Sequence, residues 1–380
     1  MIFKTKENHL GGKNMVDLKP ASENPWYQLA TLAGNDHPAN VHLWNGYQRE
    51  LLERANIFDP TDEDMSKLPE LGKSDLERVQ QIDGLPSQMA KGWMIQFGNT
   101  AFPPVDFSNF LFGFRVSFLI STFDGITKFT NATFSAGATF LDAKFGQLAI
   151  FKGANFSESM DFTVIEDAGY ATPMYFPDAT FNSHPPRFFG RKMHEDTDWT
   201  GAVWPKTADD ENQLKSNIRA YEQLSLSARE LGKTSDEHLF FCKEMECRRV
   251  LVRFEKKCLH RFASVTPFWI FRTFSSYGYS FERPAGWLLF LWLLGPIGYF
   301  LYFSFCHPLS GIGWSSILQD SMIFSTANML PFFGFHSRFP LQLLDVESGL
   351  IFLFSVGQTI LGFILLFFLG LGLRNRFRLK

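Results

Sequence analysis

The chain has 380 residues, of which 45% are hydrophobic, so it is long enough for two or three domains. Its formal net charge is −3 at pH 7, which gives no bias toward nucleic acid as a partner. Its four cysteines follow no zinc or redox spacing and indicate reduced thiols, and the amino terminus lacks the apolar core of a signal peptide.

The first quarter of the chain predicts a polar tail followed by short helices. Residues 1–23 predict disorder. Residues 24–96 predict a helical region, in which Asn24-Pro25 begins one helix because proline suits the first helical turn. Ser74 to Glu77 matches a capping box. We expect this region to cap the repetitive domain that follows, because an open end of such a domain exposes apolar rings and strand edges.

A ladder of phenylalanines with a fixed spacing runs through the next stretch. The steps between successive rings alternate between five and six residues, and alanine stands two places before most of the later rings. A fixed period of this kind indicates a repeat architecture. The ladder consists of Phe107, Phe112, Phe118, Phe123, Phe129, Phe134, Phe140, Phe145, Phe151, Phe156 and Phe162.

Two architectures have an eleven-residue period. A right-handed helical coiled coil is one of them, but on a helix the two series of rings would lie about 140° apart and share no seam. Between the rings, Thr, Asn and Gly recur, as in Thr127, Asn131 and Gly137, and these residues are poor helix formers that favour turns or strands. We therefore predict a solenoid of about 22 residues per coil, in which each ring points inward and stacks on the ring of the next coil.

The repeat units resemble those of the pentapeptide-repeat family. Thr130 to Phe134, Lys152 to Phe156 and Asp178 to Phe181 are similar to its A-(N/T/D)-(L/F) unit, with phenylalanine at the central position. The resemblance implies a right-handed, four-sided parallel β-helix, which we expect over residues 97–207. The sixth residue of alternate units predicts local bulges.

The repeat loosens after its eleventh ring. An insertion from Ile165 to Tyr175 interrupts it. The five-residue step then resumes in two aromatic pairs, Phe176 with Phe181 and Trp199 with Trp204. We expect these pairs to form the final coils.

Residues 208–284 predict an α-helical linker with a basic segment beside a membrane. Its first helix ends at Gly232. Its second helix interleaves six basic side chains with apolar ones, a pattern that suits an anionic lipid surface. A solvated helix face packed on the solenoid is the alternative. The basic residues are Arg248, Arg249, Arg253, Lys256, Lys257 and Arg261.

Two apolar segments predict transmembrane helices within a membrane region, residues 285–380. They cover about 285–305 and 349–373, and each meets the requirement of about 20 apolar residues. Basic residues flank the outer ends of this pair, whereas the loop between them has one basic and three acidic residues. The positive-inside rule therefore predicts a multi-pass protein with both termini in the cytoplasm.

Segments beside the spans strengthen the resemblance. The tail Leu371 to Arg378 and the entry Phe274 to Tyr279 are similar to the membrane-anchored bacterial branch of the pentapeptide-repeat family. This resemblance implies a location in the inner (cytoplasmic) membrane.

The sequence predicts a protein without enzymatic activity or a cofactor. It has no nucleophile elbow, phosphate-binding loop or paired-cysteine motif, and no residue spacing indicates a metal. The favoured hypothesis is a cytoplasmic β-helix that acts as a protein-interaction scaffold. Its expected contacts are membrane lipid, an unidentified protein partner and, through the spans, further copies of the chain.

Two other hypotheses stay open. The spans flank an apolar run from Ile317 to Leu330, an outline similar to two-span cation channels, but Ser325 to Met329 stands where a TVGYG-type filter is expected. Gln358 and Thr359, polar residues in the second span, would line a pore or tie helices together.

Some soluble relatives in the family mimic DNA and bind topoisomerases, but residues 97–162 have a net charge of only −1, so nucleic-acid mimicry is disfavoured.

Overall fold

The computed structural model describes residues 18–59, 61–90, 92–165, 171–254, 258–302, 304, 313–330 and 349–377. The chain divides into two compact units, Met1–Leu251 and Val252–Lys380. The described part of the first unit combines β-strands with flanking helices, and that of the second unit is helical.

The first unit is built on a parallel β-solenoid of about four turns with four faces. Its strands, numbered in chain order, are β1 (Lys19–Pro20), β2 (Met94–Gln96), β3 (Thr100–Phe102), β4 (Val105–Asp106), β5 (Leu111–Phe112), β6 (Arg115–Ser117), β7 (Thr122–Phe123), β8 (Thr127–Lys128), β9 (Thr133–Phe134), β10 (Ala138–Thr139), β11 (Lys144–Phe145), β12 (Ala149–Ile150), β13 (Asn155–Phe156), β14 (Met160–Asp161), β15 (Met174–Tyr175) and β16 (Thr180–Phe181). The first face contains β2, β6, β10 and β14, the second β1, β3, β7 and β11, the third β4, β8, β12 and β15, and the fourth β5, β9, β13 and β16.

The register of the strands confirms the predicted coil length. On the first face Val116 pairs with Ala138 and Ala138 pairs with Met160, so equivalent positions in these coils are 22 residues apart. The other three faces show the same spacing between their central strands. Each coil therefore contains four corners and four inward rings.

The ladder rings form the interior of the solenoid, as predicted. Each of the eleven rings is at most 5% exposed. Rings one coil apart stack nearly parallel, as Phe118 and Phe140 do at 4.7 Å and 10°. Rings on opposite faces meet edge to face, as Phe129 and Phe140 do at 5.7 Å and 84°. Trp199 continues the column above Phe176, with 4.4 Å between the ring centroids.

The five-residue steps contain a residue in the left-handed conformation, two places after the ring. Asparagine, aspartate and glycine tolerate this conformation best, and they occupy nearly all of these positions. Ile120 is the exception, with φ of 56° in a β-branched residue. The residues are Asn109, Ile120, Asn131, Asp142, Gly153, Asp178 and Gly201.

The helices of the amino-terminal region are α1 (Pro25–Ala30), α2 (His37–Arg54), α3 (Glu63–Ser66) and α4 (Lys73–Gln80). Of these, α1 and α2 cover the first coil. Trp44 of α2 stacks on Phe110 at 5.2 Å and donates a hydrogen bond to the carbonyl of Leu111. The side-chain amide of Asn45 accepts from the Leu111 N–H and donates to the Asn109 carbonyl. This amide takes the place of the peptide group of a further strand, so the free edge of β5 is closed.

Two local predictions in this region have different outcomes. Asn24 caps α1 with Pro25 in its first turn, as predicted. The capping box from Ser74 to Glu77 is wrong, because α4 begins at Lys73 and its N-cap is Gly72, without a side-chain cap. The solenoid also begins earlier than residue 97, since β1 and β2 precede it, whereas residues 1–17 lie outside the described residues.

The last coil is covered by a helical hairpin of α5 (Glu211–Glu230) and α6 (Thr234–Leu251). Phe240 of α6 meets Trp204 edge to face at 5.0 Å. Gln213 of α5 donates to the carbonyl of Ser183 at 2.9 Å. These helices, expected in a linker, therefore form a carboxy-terminal cap on the solenoid.

Among the described residues, the second face ends two coils before the other three. Isolated bridges extend the first, third and fourth faces to Arg187, Asp198 and Val203, whereas the second face ends at β11. The guanidinium of Arg191 lies over the Phe145 ring at 5.8 Å. It therefore covers the last ring of this column that the described residues contain.

The second unit contains α7 (Cys258–Ser275), α8 (Glu282–Leu301), α9 (Trp314–Met329) and α10 (Gly349–Phe377). As predicted, α8 and α10 are long and apolar enough to cross a membrane. Asn375, near the end of α10, donates to the carbonyl of Gly278, and Arg376 lies 3.5 Å from Glu282 at the start of α8. The two helices are therefore antiparallel.

Candidate functional site

The helical unit has a polar core between α8, α9 and α10. Gln358, only 3% exposed, accepts a hydrogen bond from the Tyr299 hydroxyl at 2.9 Å through Oε1. Its Nε2 donates to the Ser325 hydroxyl at 2.7 Å and lies 3.3 Å from the Ser325 carbonyl. Asn328 Nδ2 donates to the Tyr299 hydroxyl at 2.9 Å. One network therefore joins all three helices.

Two further hydrogen bonds surround this core. Trp292 of α8 donates through Nε1 to the Thr326 hydroxyl of α9 at 3.0 Å. Thr359, the second predicted polar residue of the span, donates to the Ser355 carbonyl of its own helix at 3.0 Å. Gln358 and Thr359 are adjacent in sequence, but only Gln358 joins different helices in these hydrogen bonds.

Glycines allow the helices to approach closely around the polar core. A Cβ on Gly295 would collide with the Ser325 hydroxyl and the Gln358 amide nitrogen. A Cβ on Gly362 of α10 would lie 2.9 Å from the Met329 carbonyl. Such contacts require small residues, as in the tight packing of membrane helices.

The stretch from Ser325 to Met329, which occupies the place expected for a filter, is helical and belongs to α9. Ser325 and Asn328 are both buried and use their side chains in the network with Gln358 and Tyr299. In the described residues these polar groups therefore tie helices together. Ser321, one turn earlier, has a buried hydroxyl for which the described structure shows no partner.

The outer surfaces of the helices are apolar. In a water-soluble protein such surfaces would face the core, whereas here the polar side chains face inward. Exposed apolar residues on α8 include Leu289, Phe290, Leu293, Leu294, Ile297 and Leu301. Those on α10 include Leu350, Phe352, Leu353, Ile360, Leu361 and Phe367.

The core of the helical unit contains no ionised group among the described residues that form it, so its chemistry is hydrogen bonding. Amide and hydroxyl groups that hydrogen-bond between helices stabilise a membrane bundle by about 1 kcal/mol or less each. The network therefore fixes the relative positions of the three helices.

The predicted basic segment is divided by the boundary between the units. Arg248 lies 2.6 Å from Glu244 and 3.9 Å from Glu222, and Arg249 lies 2.8 Å from Glu246. Burial raises the pKa of Glu244, and the hydrogen bond from Arg248 opposes that shift. Two of the six predicted lipid-binding residues are thus paired with carboxylates of the first unit.

The other members of this segment belong to the second unit. Arg253 lies in a single turn of 3₁₀ helix. Lys256, Lys257 and the side chain of Arg261 lie outside the described residues. Their contact with lipid stays a prediction.

The lateral faces of the solenoid carry exposed side chains of mixed charge. Arg115, Lys128 and Lys144 are exposed on the first, third and second faces. Lys128 lies 3.5 Å from Asp106 of the preceding coil, so one pair of opposite charges joins two coils on the third face. Across the described residues, no group of three or more His, Cys, Asp or Glu side chains is arranged to hold a metal ion.

No protein-family model, curated protein or solved structure matches this chain. Its function is therefore inferred from two features of the molecule. These are the solenoid with both ends covered and the helical unit with a polar interior and an apolar exterior.

Proposed function

We propose that this chain is a non-enzymatic, membrane-anchored protein whose solenoid is a scaffold for a protein partner. In this proposal the solenoid is the right-handed β-helix of the pentapeptide-repeat family, from its membrane-anchored bacterial branch. The carrying observation is the combination of closed solenoid ends with apolar outer surfaces on the helices. The repeat units quoted above support the family assignment.

The covered ends direct association to the sides of the solenoid. An open strand edge would pair with another chain. At the amino-terminal end, the Asn45 amide and the Trp44 indole form hydrogen bonds with the backbone groups of Leu111 in β5 and of Asn109 just before it. At the other end α5 and α6 cover Trp199 and Trp204. The first, second and third faces, with exposed polar and charged side chains, are the surfaces left for a partner, since α3 contacts the fourth face through Asp64 and Asn155.

The helices anchor the protein in the inner membrane, with both termini in the cytoplasm. Arg283, Arg374 and Arg376 lie at one end of the antiparallel pair, where α8 begins and α10 ends. Basic residues favour the cytoplasmic side of a membrane. The polar core supports this role because its hydrogen bonds join the helices from within, and further copies of the chain would pack against the apolar outer surfaces.

Topology is tested by labelling cysteines with a membrane-impermeant maleimide. Single cysteines at Lys380 and at Ser337, which both lie outside the described residues, are introduced into a chain without native cysteines. Ser337→Cys should react in intact cells, and Lys380→Cys only after permeabilisation. Labelling of Lys380→Cys in intact cells would reverse the proposed orientation.

The scaffold role is tested with photoreactive amino acids on the solenoid in native membranes. Probes replace Arg115, Lys128 and Lys144, one on each of three faces, and Glu77 of α4 serves as the matched control on the cap. A defined adduct from one lateral face, and none from the cap, supports the proposal. Absence of adducts from every lateral position, in a protein that is folded and present in the membrane, would contradict it.

A second candidate function is conduction of cations. One observation favours it: α9 ends beside Leu288 and Leu365, so its carbonyl end lies inside the helical unit. Single-channel recording in planar bilayers separates the two functions. The scaffold predicts no unitary current, whereas reproducible currents altered by Gln358→Leu would favour the channel.

A further inference from the structure

We propose that α9 lies in the hydrocarbon core of the membrane but does not cross it. The occupant of its outer face is lipid acyl chain. The proposal rests on the membrane anchoring proposed above and adds a third membrane-embedded helix to the two spans.

In α9, polar side chains are buried against the neighbouring helices and large apolar ones are exposed. Its buried side includes Ser321, Ser325 and Asn328, which are at most 2% exposed. Its exposed side includes Leu318 and Ile323, at 47% and 41% exposure. Polar side chains inside and large apolar ones outside are the pattern expected for a helix in lipid.

The outer face of α9 belongs to the same apolar exterior as the faces of α8 and α10. Its inner side is joined to both spans through Tyr299 and Gln358, so the three helices form one bundle. The exposed sides of α8 and α10 are covered by acyl chains in the anchored protein. Because the polar core holds α9 against α8 and α10, the same acyl chains can also cover Leu318, Met322 and Ile323.

The length of α9 excludes a full crossing. Its 16 residues extend about 24 Å, whereas the hydrocarbon core is about 30 Å thick. Trp314 at its start lies 5.8 Å from Phe300 near the end of α8. Met329 at its end packs with Leu288, in the first third of α8. The helix therefore begins at the surface where α8 ends and stops before the opposite surface.

The polar residues of the first two turns fit this placement. Gln319 and Asp320 lie near the start of α9, and Asp320 is partly exposed. Trp314 precedes them, and tryptophan favours the interface between lipid and water. The charged side chain therefore lies at the water-accessible end, and the apolar outer face extends from there toward the middle of the membrane.

The test uses nitroxide labels and two collision reagents, oxygen for lipid and a water-soluble nickel complex for water. Single cysteines replace Leu318, Met322 or Ile323 in a cysteine-free parent whose thermal unfolding matches that of the natural chain. The protein is reconstituted in vesicles of phosphatidylethanolamine and phosphatidylglycerol. Leu293→Cys on α8 is the lipid control, and Lys144→Cys on the solenoid is the water control.

We expect the ratio of oxygen to nickel collisions on α9 to match that at Leu293 and to exceed that at Lys144. Nickel access on α9 with lipid access at Leu293 would overturn the embedding of α9 and leave the anchor intact. Nickel access at Leu293 as well would overturn both. Shielding of Leu318 and Ile323 from both reagents, with spin–spin broadening between labelled copies, would assign the face to a second copy of the chain instead.

Discussion

Phe140 lies at the centre of the solenoid interior and offers a sharp test of the ladder. Its ring is fully buried and has five aromatic neighbours within 6 Å. Two of them, Phe118 and Phe162, stack on it from the coils on either side, at 4.7 and 5.0 Å. Removal of this ring leaves a cavity that these neighbours cannot fill without losing their own stacking.

We expect Phe140→Ala to lower the free energy of unfolding of the solenoid by about 4 kcal/mol or more. A buried Phe→Ala change costs about 3–5 kcal/mol, and each aromatic pair adds about 0.5–1.5 kcal/mol beyond burial. Phe140→Leu retains most of the volume but loses the ring contacts, so we expect a loss of about 2 kcal/mol.

The assay is urea denaturation of the first unit, residues 1–251, followed by circular dichroism. Lys144→Ala is the matched control, because Lys144 is exposed four residues later and its loss should change the free energy by about 0.5 kcal/mol or less. Equal unfolding midpoints for Phe140→Ala and Lys144→Ala would refute the inward register of the ladder.

Three further substitutions test local features. Ile120→Asn should raise the free energy of unfolding by about 1 kcal/mol, because it relieves a left-handed β-branched residue, whereas Leu119→Asn beside it should give no gain. Gly295→Ala should lower the melting temperature in detergent, because the new Cβ meets the polar core, whereas Gly286→Ala, which has open space around it, should not. Gln358→Leu should destabilise the helical unit by about 1–2 kcal/mol in a reversible detergent titration, because it leaves Tyr299 and Ser325 without their partner; a value near zero would contradict the network.

The repeat could be read from the sequence because each ring marks a buried position. Phe118, Phe140 and Phe162 are separated by 22 residues, and this spacing alone specifies a coil. The two apolar helices could also be predicted from the sequence, because a run of about 20 apolar residues is typical of a transmembrane helix. In both cases the signal lies in a local period or length and needs no knowledge of distant contacts.

Distant contacts account for what the sequence did not predict. The pattern of α5 shows that one helix face is buried, but not that it packs against the last coil through contacts such as Gln213 with Ser183. Gln358 was visible as a polar residue in an apolar span, whereas its partners Tyr299 and Ser325 lie 59 and 33 residues away. Pairings of this kind depend on how helices cross, which sequence periodicity does not encode.

Arg191 shows the same limit and leads to the last prediction. A single arginine in a polar stretch indicates a solvated charge, yet this one lies over the Phe145 ring, the last ring of the second face among the described residues. Its Nε donates to the Phe162 carbonyl and its Nη2 to the Ala143 carbonyl, both at 2.7 Å. Burial lowers the pKa of Arg191 to about 10, which reflects the cost of placing a cation there.

The planar guanidinium explains why this cost is tolerated. It donates hydrogen bonds to two backbone carbonyls at once and covers the Phe145 ring. Arg191→Lys retains the charge, but a single ammonium group cannot reproduce the planar fork. We therefore expect Arg191→Lys to destabilise residues 1–251 by about 1–3 kcal/mol in urea denaturation, the cost of a buried carbonyl left without a donor. Lys152→Ala, at an exposed position on the third coil, is the control. If Arg191→Lys unfolds at the same urea concentration as this control, a single positive charge is sufficient for stability. The two hydrogen bonds of Arg191 to backbone carbonyls would then contribute nothing to it.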